Sequence, residues 1–321
     1  MLFQFFLIIL GFLLLIYGAD LLVKGASGIA KKFYISEIII GLTIVSLGTS
    51  LPEFIITLVS SSKESHDLII GNVIGSNICN LLLVLGVISI FNPIKFEEST
   101  VKFNLPILIL INILVLVMCI IPTSSSLLYI SFNEGILLLI IAFIYFLYPL
   151  IKHLKENKGR DSEVNNTIQD NTSLFRSLIF ILIGGFSLKY GGDFVVNSSI
   201  EIAQAFNINE SIIGLTIIAL GTSLPELITS IVAVLKGNSD IAEGNIIGSC
   251  VINFCLILGF GAVISNIIID SQYIENLILL IGSSMLIWLY SLGNSGHILK
   301  KSNGFSFLMI FVIYVIRLFI I

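Results

Sequence analysis

A chain of 321 residues that is 56% hydrophobic and only 11% charged, with a mean hydropathy of +1.08, lies outside the range of soluble globular domains. A net charge of −4, a pI near 5.4 and the lack of any dense basic cluster exclude nucleic acid as a partner. The expected environment is the lipid bilayer, and hydropathy divides the chain into ten spans.

The first span lies near 3–23 and ends in Tyr17-Gly18-Ala19-Asp20. It resembles a signal peptide, but the same pattern returns in the interior as Tyr190-Gly191-Gly192-Asp193, so the span belongs to the mature fold. Asp20 and Asp193 are matched acids near span ends, read as meeting headgroup water, with gating as the alternative. The second span, near 36–60, contains Gly48-Thr49-Ser50-Leu51-Pro52-Glu53. Gly48 weakens the helix there and Pro52 removes a backbone donor, freeing carbonyls one turn earlier. Glu53 is then an acid inside the membrane beside a broken helix, which marks a functional site. The third span, near 68–91, opens with Gly71-Asn72-Val73-Ile74-Gly75-Ser76, and Asn80 follows one turn after Ser76 on the same face. Spans near 104–122 and 134–152 complete a first half, 1–152, and a polar linker follows at 153–173.

The second half, 174–321, has spans near 175–196, 209–235, 242–265, 273–292 and 304–321. It repeats the first at a constant offset of 173 residues, without a gap from Tyr17 to Gly86 and with about half of roughly seventy positions identical. Gly221-Thr222-Ser223-Leu224-Pro225-Glu226 copies the first break unchanged, and Gly244-Asn245 through Ser249 and Asn253 copies the Gly-Asn helix. Five spans per half turn the second copy over in the membrane. The fold class is therefore all-α polytopic, ten transmembrane helices as two inverted five-helix repeats. With the N-terminus outside, about thirteen of the sixteen basic residues fall in cytoplasmic connections. That predicts N-out and C-out, with the linker inside.

The four cysteines, Cys79, Cys119, Cys250 and Cys255, lack metal-ligand spacing and read as packing residues. Bringing the halves together places Glu53 and Glu226 near the midplane, flanked by Ser50, Ser223, Ser76, Ser249, Asn80 and Asn253. An all-oxygen set with two carboxylates suits a hard cation such as calcium or sodium. Asn72 and Asn245 lie one turn further back, either beside the ligands or simply tying helices together.

These two motif pairs resemble the alpha-repeats of the calcium/cation antiporter superfamily, specifically its sodium/calcium exchanger branch, over about 41–86 and 214–259. The resemblance implies that Glu53 and Glu226 hold calcium and share in sodium sites. The hydroxyl ligands would be Thr49, Ser50, Ser76, Thr222, Ser223 and Ser249, with Asn80 and Asn253 completing the centre and the backbone carbonyls of Ser46 and Ala219 facing the ions. It further implies a secondary antiporter in the cell membrane, not an enzyme, carrying Ca2+ and Na+ without a cofactor, extruding calcium electrogenically. The chain bears no signal for an oligomeric state. Proton-coupled members usually carry a further acid after the Gly-Asn pair, where Gly75-Ser76 and Gly248-Ser249 stand here, and potassium-dependent members have Asp at the Asn253 position. Both departures favour sodium coupling over proton or potassium coupling. A passive channel is the more distant alternative.

Overall fold

A computed structural model describes residues 2–120, 128–157, 173–206, 219–293 and 296–318. The first helix, α1 (Leu2–Phe33), does not stop where the apolar run ends. Its 32 residues reach about 48 Å at 1.5 Å per residue, beyond a hydrocarbon core of about 30 Å. Lys24, Lys31 and Lys32, expected in a connection, are therefore helical. Alanine and lysine favour the helix as well as leucine does, so it continues until Tyr34 turns to a positive φ of 53°. Asp20 is consequently not at a helix end.

The broken helix runs as α2 (Glu37–Thr49) and α3 (Leu51–Ser62), with a 50° bend between them. Pro52 cannot donate to the Gly48 carbonyl, and Ser50 sits in the bridge region at φ −84°, ψ 11°. Next come α4 (His66–Phe91), α5 (Thr100–Ile120), α6 (Phe132–Asn157) and α7 (Leu174–Ala205). The linker's first residues thus belong to α6, and 158–172 lie outside the described residues. The second break repeats the first: α8 (Ala219–Thr222), Ser223 at φ −88°, ψ 2°, then α9 (Leu224–Leu235). The start of that expected span, 209–218, also lies outside the described residues. The chain ends with α10 (Ser239–Ile264), α11 (Gln272–Leu292) and α12 (Lys301–Leu318).

Among the described residues, eight helices are long and apolar enough to span a membrane, nine with the bent pair. In α4 and α10, 83% of the apolar window is buried, against 22% in α6 and 17% in α12, so the two Gly-Asn helices form the centre. The outer helices expose large side chains such as Phe143, Phe175 and Met309, as a lipid-facing surface requires. All four cysteines are buried thiols.

Small residues set the close approaches. The helices α1 and α7 run antiparallel, with Gly11 against Gly191, Gly18 against Gly184 and Gly25 against Ser177. A Cβ on Gly18 would lie 2.9 Å from the Gly184 carbonyl oxygen, so this seam depends on having no side chain. The pair α2 and α10 meets in the same way through Gly41 and Gly244.

Two antiparallel ladders of two residues tie the connections together. The first joins β1 (Ile94–Lys95) to β4 (Ile298–Leu299), and the second joins β2 (Tyr129–Ile130) to β3 (Ile267–Ile268).

Candidate cation site

Each acid is the third residue of the helix that restarts after its break, Glu53 on α3 and Glu226 on α9, and both are 0% exposed. Most of the contacts around them cross between the two halves of the chain. Ser50 Oγ donates to Glu226 Oε1 at 3.0 Å, while Ser76 Oγ donates to Glu53 Oε1 at 3.3 Å and lies 3.5 Å from the Thr222 hydroxyl. Thr49 Oγ1 donates to Asn245 Oδ1 at 3.0 Å and lies 3.4 Å from Ser249 Oγ. Among the described residues no lysine, arginine or histidine reaches either carboxylate.

Both central helices widen to a π-helical turn where they carry their asparagines. In α4 it spans Cys79–Val84 and includes Asn80; in α10 it spans Ile252–Ile257 and includes Asn253, at the same offset as the sequence repeat. Such turns divert backbone and side chains from the regular helical lattice and concentrate at functional sites.

The unsatisfied polar atoms identify the chemistry. Glu53 Oε2, Glu226 Oε2, Asn80 Oδ1 and Nδ2, Asn253 Oδ1 and Ser223 Oγ are buried without a hydrogen-bond partner. Leaving such atoms unpaired costs a few kcal/mol each, and folded proteins contain few of them. Of the fifteen such atoms among the described residues, six lie together on residues that the two repeats single out, and five of those six are oxygens. Two carboxylates, amide oxygens and hydroxyls in a dry interior form a donor set for a hard cation.

Other expected residues play different parts. Asn245 is fully engaged, accepting from Thr49 and donating to Ser230 Oγ at 2.9 Å and to the Glu226 carbonyl at 3.4 Å. Asn72 Nδ2 donates to the Glu53 carbonyl at 3.2 Å. Both asparagines thus tie the restarted helix to the Gly-Asn helix. The Ser46 carbonyl accepts from the Ser50 amide at 3.0 Å and the Thr49 hydroxyl at 3.3 Å, and the Ser46 hydroxyl donates to Leu42 O at 2.6 Å. Ala219 opens α8. Asn77, buried between the central helices, was not indicated by the repeat because the second copy has Cys250 in its place.

A cleft of about 270 Å³ runs between α3 and α7 and reaches Pro52, Thr222 and Pro225 at the level of the breaks. At the equivalent seam of the other half, α1 and α9 pack against each other. There Lys236 forms an ion pair with Asp20 and donates to its carbonyl at 3.2 Å, and Lys24 pairs with the same acid at 2.7 Å. Asp20 thus carries two ion pairs while its side chain stays 28% exposed. Asp193 beside the cleft pairs with Lys189 on its own helix at 2.8 Å.

A helical membrane protein with two broken helices and paired buried acids is the architecture of an ion carrier. A family model described as Sodium/calcium exchanger protein matches residues 3–151 and 176–320, and the chain belongs to that family. It is 36% identical to inner membrane protein YrbG of Escherichia coli over 266 residues, covering 81% of this chain and 79% of that one. It is 29% identical to the sodium/calcium exchanger MaX1 of Methanosarcina acetivorans, covering 99% of both. A solved structure of the sodium-calcium exchanger NCX_Mj, soaked with Na+ and Ca2+, superposes with a TM-score of 0.82 at 30% identity, covering 98% of this chain and 97% of that one.

Proposed function

We propose that the protein exchanges sodium for calcium across the cell membrane by alternating access, with both ions competing for one site between Glu53 and Glu226. The observation that carries this reading is the presence, side by side, of unpartnered buried oxygens and two carboxylates that no cation among the described residues neutralises. The ligands would be those two acids with Thr49, Ser50, Ser76, Asn80, Thr222, Ser223, Ser249 and Asn253. The Ser46 and Ala219 carbonyls would join once ions draw them from their helical partners. The formal charge of −2 is matched by one calcium ion or shared by several sodium ions, so competition itself supplies the coupling. Exchange of three sodium ions for one calcium, the stoichiometry implied by family resemblance, moves one net charge, worth about 2.3 kcal/mol per 100 mV.

The same reading makes the fold ten helices in two inverted halves, 1–152 and 174–321, joined by a cytoplasmic linker. The antiparallel course of α1 and α7, which are equivalent in the repeat, supports the inversion. The ladders support the topology, since β1–β4 joins two connections that the charges assign to the inside and β2–β3 joins two assigned to the outside. The cleft on one side and the ion-paired seam on the other favour a carrier over a channel, because a channel needs a path open at both ends. The glycine seam between α1 and α7 lets these two helices slide as a pair when the open side changes.

Competition is directly measurable on the purified protein. Calcium binding followed by calorimetry is expected to weaken steeply as sodium replaces choline, and to be indifferent to potassium. Calcium binding unaffected by sodium would contradict a shared site.

A further inference from the structure

The two halves match closely in sequence, but their central asparagines are not held alike. Asn77 is 1% exposed and lies one turn before Asn80 on α4. Its Nδ2 donates to the Cys250 carbonyl oxygen at 3.2 Å. A backbone carbonyl can only accept, so this contact decides which end of the Asn77 amide is nitrogen. Asn77 Oδ1 is thereby turned to accept from Asn253 Nδ2, at 3.0 Å. The second bond decides the orientation of Asn253 in turn. Its nitrogen is used and its oxygen, Oδ1, remains buried without a partner.

The counterpart arrangement lacks this relay. At the offset of 173, Asn253 corresponds to Asn80 and Asn77 to Cys250. A thiol is a weak donor and a weak acceptor, so it cannot set an amide as a carbonyl-anchored asparagine does. The Cys250 thiol does face the Asn80 side chain, but neither Nδ2 nor Oδ1 of Asn80 makes a well-formed hydrogen bond. For a cation the distinction matters, because an amide presents an attractive oxygen on one side and a repulsive NH2 on the other.

We propose that Asn77 is a positioning residue that holds the Asn253 amide with its oxygen, and not its nitrogen, turned to the transported cation. This rests on the proposed exchange function, and it makes the Asn253 side of the site the pre-organised one. Without Asn77, presenting the oxygen leaves a buried NH2 group unpaired, and that penalty falls on ion binding.

The test is a double-mutant cycle on the full chain, with Asn77→Ala, Asn253→Ala and the combination. Calcium binding is measured by calorimetry, and the calcium-dependent rate in sodium-loaded vesicles is measured alongside. Asn77→Ala is expected to raise the half-saturating calcium concentration about five- to a hundredfold, the range for an unsatisfied buried donor, with the maximal exchange rate held within about twofold. In the Asn253→Ala background the same change is expected to add less than about twofold, because Asn77 acts only through Asn253. An equal loss in both backgrounds, or a lowered calcium-free melting temperature with calcium affinity intact, would overturn the proposal in favour of a structural role. The Asn253 side-chain amide, followed by selective 15N-asparagine labelling, reports the relay without any ion. Slow hydrogen exchange there in wild type, lost in Asn77→Ala, supports it, and fast exchange in wild type overturns it. A wild-type protein that binds neither calcium nor sodium but keeps a protected Asn253 amide would defeat the exchange reading and leave the relay standing.

Discussion

Glu53→Gln and Glu226→Gln are each expected to abolish calcium exchange, lowering it at least about a hundredfold. Two unit charges 4 Å apart interact by about 4 kcal/mol at an effective dielectric of about 20, and a divalent ion feels the loss of one carboxylate twice over. Glutamine keeps the shape of the side chain and one oxygen, so the effect isolates charge from packing. The ion-free protein should respond in the opposite sense. Each carboxylate is 0% exposed with one oxygen unpartnered, and burying such a charge opposes folding. Removing it is expected to leave ion-free thermal stability equal or higher, while stabilisation by added calcium disappears. Thermal melting with and without calcium checks both halves of this expectation. A variant that loses stability without ions would instead make the acid part of a structural network.

The second large effect is expected at Gly244, which is not among the proposed ligands. A Cβ there would lie 2.5 Å from the Ile38 carbonyl oxygen and 2.7 Å from the Leu42 nitrogen. Both obstacles are backbone, so the helices themselves must separate. Overpacking of this kind typically costs 1 to 3 kcal/mol, roughly five- to a hundredfold in an equilibrium. Because α2 carries Thr49, whose hydroxyl reaches Asn245 and Ser249 on α10, the same displacement loosens the site. Gly244→Ala is expected to lower the melting temperature and weaken calcium binding together. Gly282→Ala, at an exposed position with nothing within 4 Å of the added carbon, should change neither. A Gly244→Ala protein with wild-type melting and binding would mean that the close approach of α2 and α10 is not required.

Much of the candidate site was legible in the chain because its residues are anomalies in an apolar setting. A Pro-Glu pair and two Gly-Asn pairs cannot recur at a constant offset through hydrophobic composition alone, so Glu53, Glu226, Ser76, Ser249, Asn80 and Asn253 were all visible. Asn77 carries no such mark, because the second copy has Cys250 at the equivalent position. The lengths of α1 and α7 were also understated. Hydropathy responds to lipid, whereas a helix continues through lysine and alanine into water. The ladders at Ile94–Lys95 and Tyr129–Ile130 are two residues long and too short to show any alternation. The pairing of Asp20 with Lys236 is a tertiary contact between residues 216 apart, beyond the reach of local pattern. The repeat singled out candidate residues; how each is held required the packed structure.

Calcium uptake into proteoliposomes loaded with sodium, set against potassium-loaded vesicles and vesicles with an imposed proton gradient, bears most directly on the proposed exchange. Uptake driven by internal sodium alone, accelerated by a membrane potential and absent in Glu53→Gln, is the expected result. Uptake that follows protons or requires potassium, or that proceeds equally under all three conditions, would contradict sodium/calcium exchange at this site.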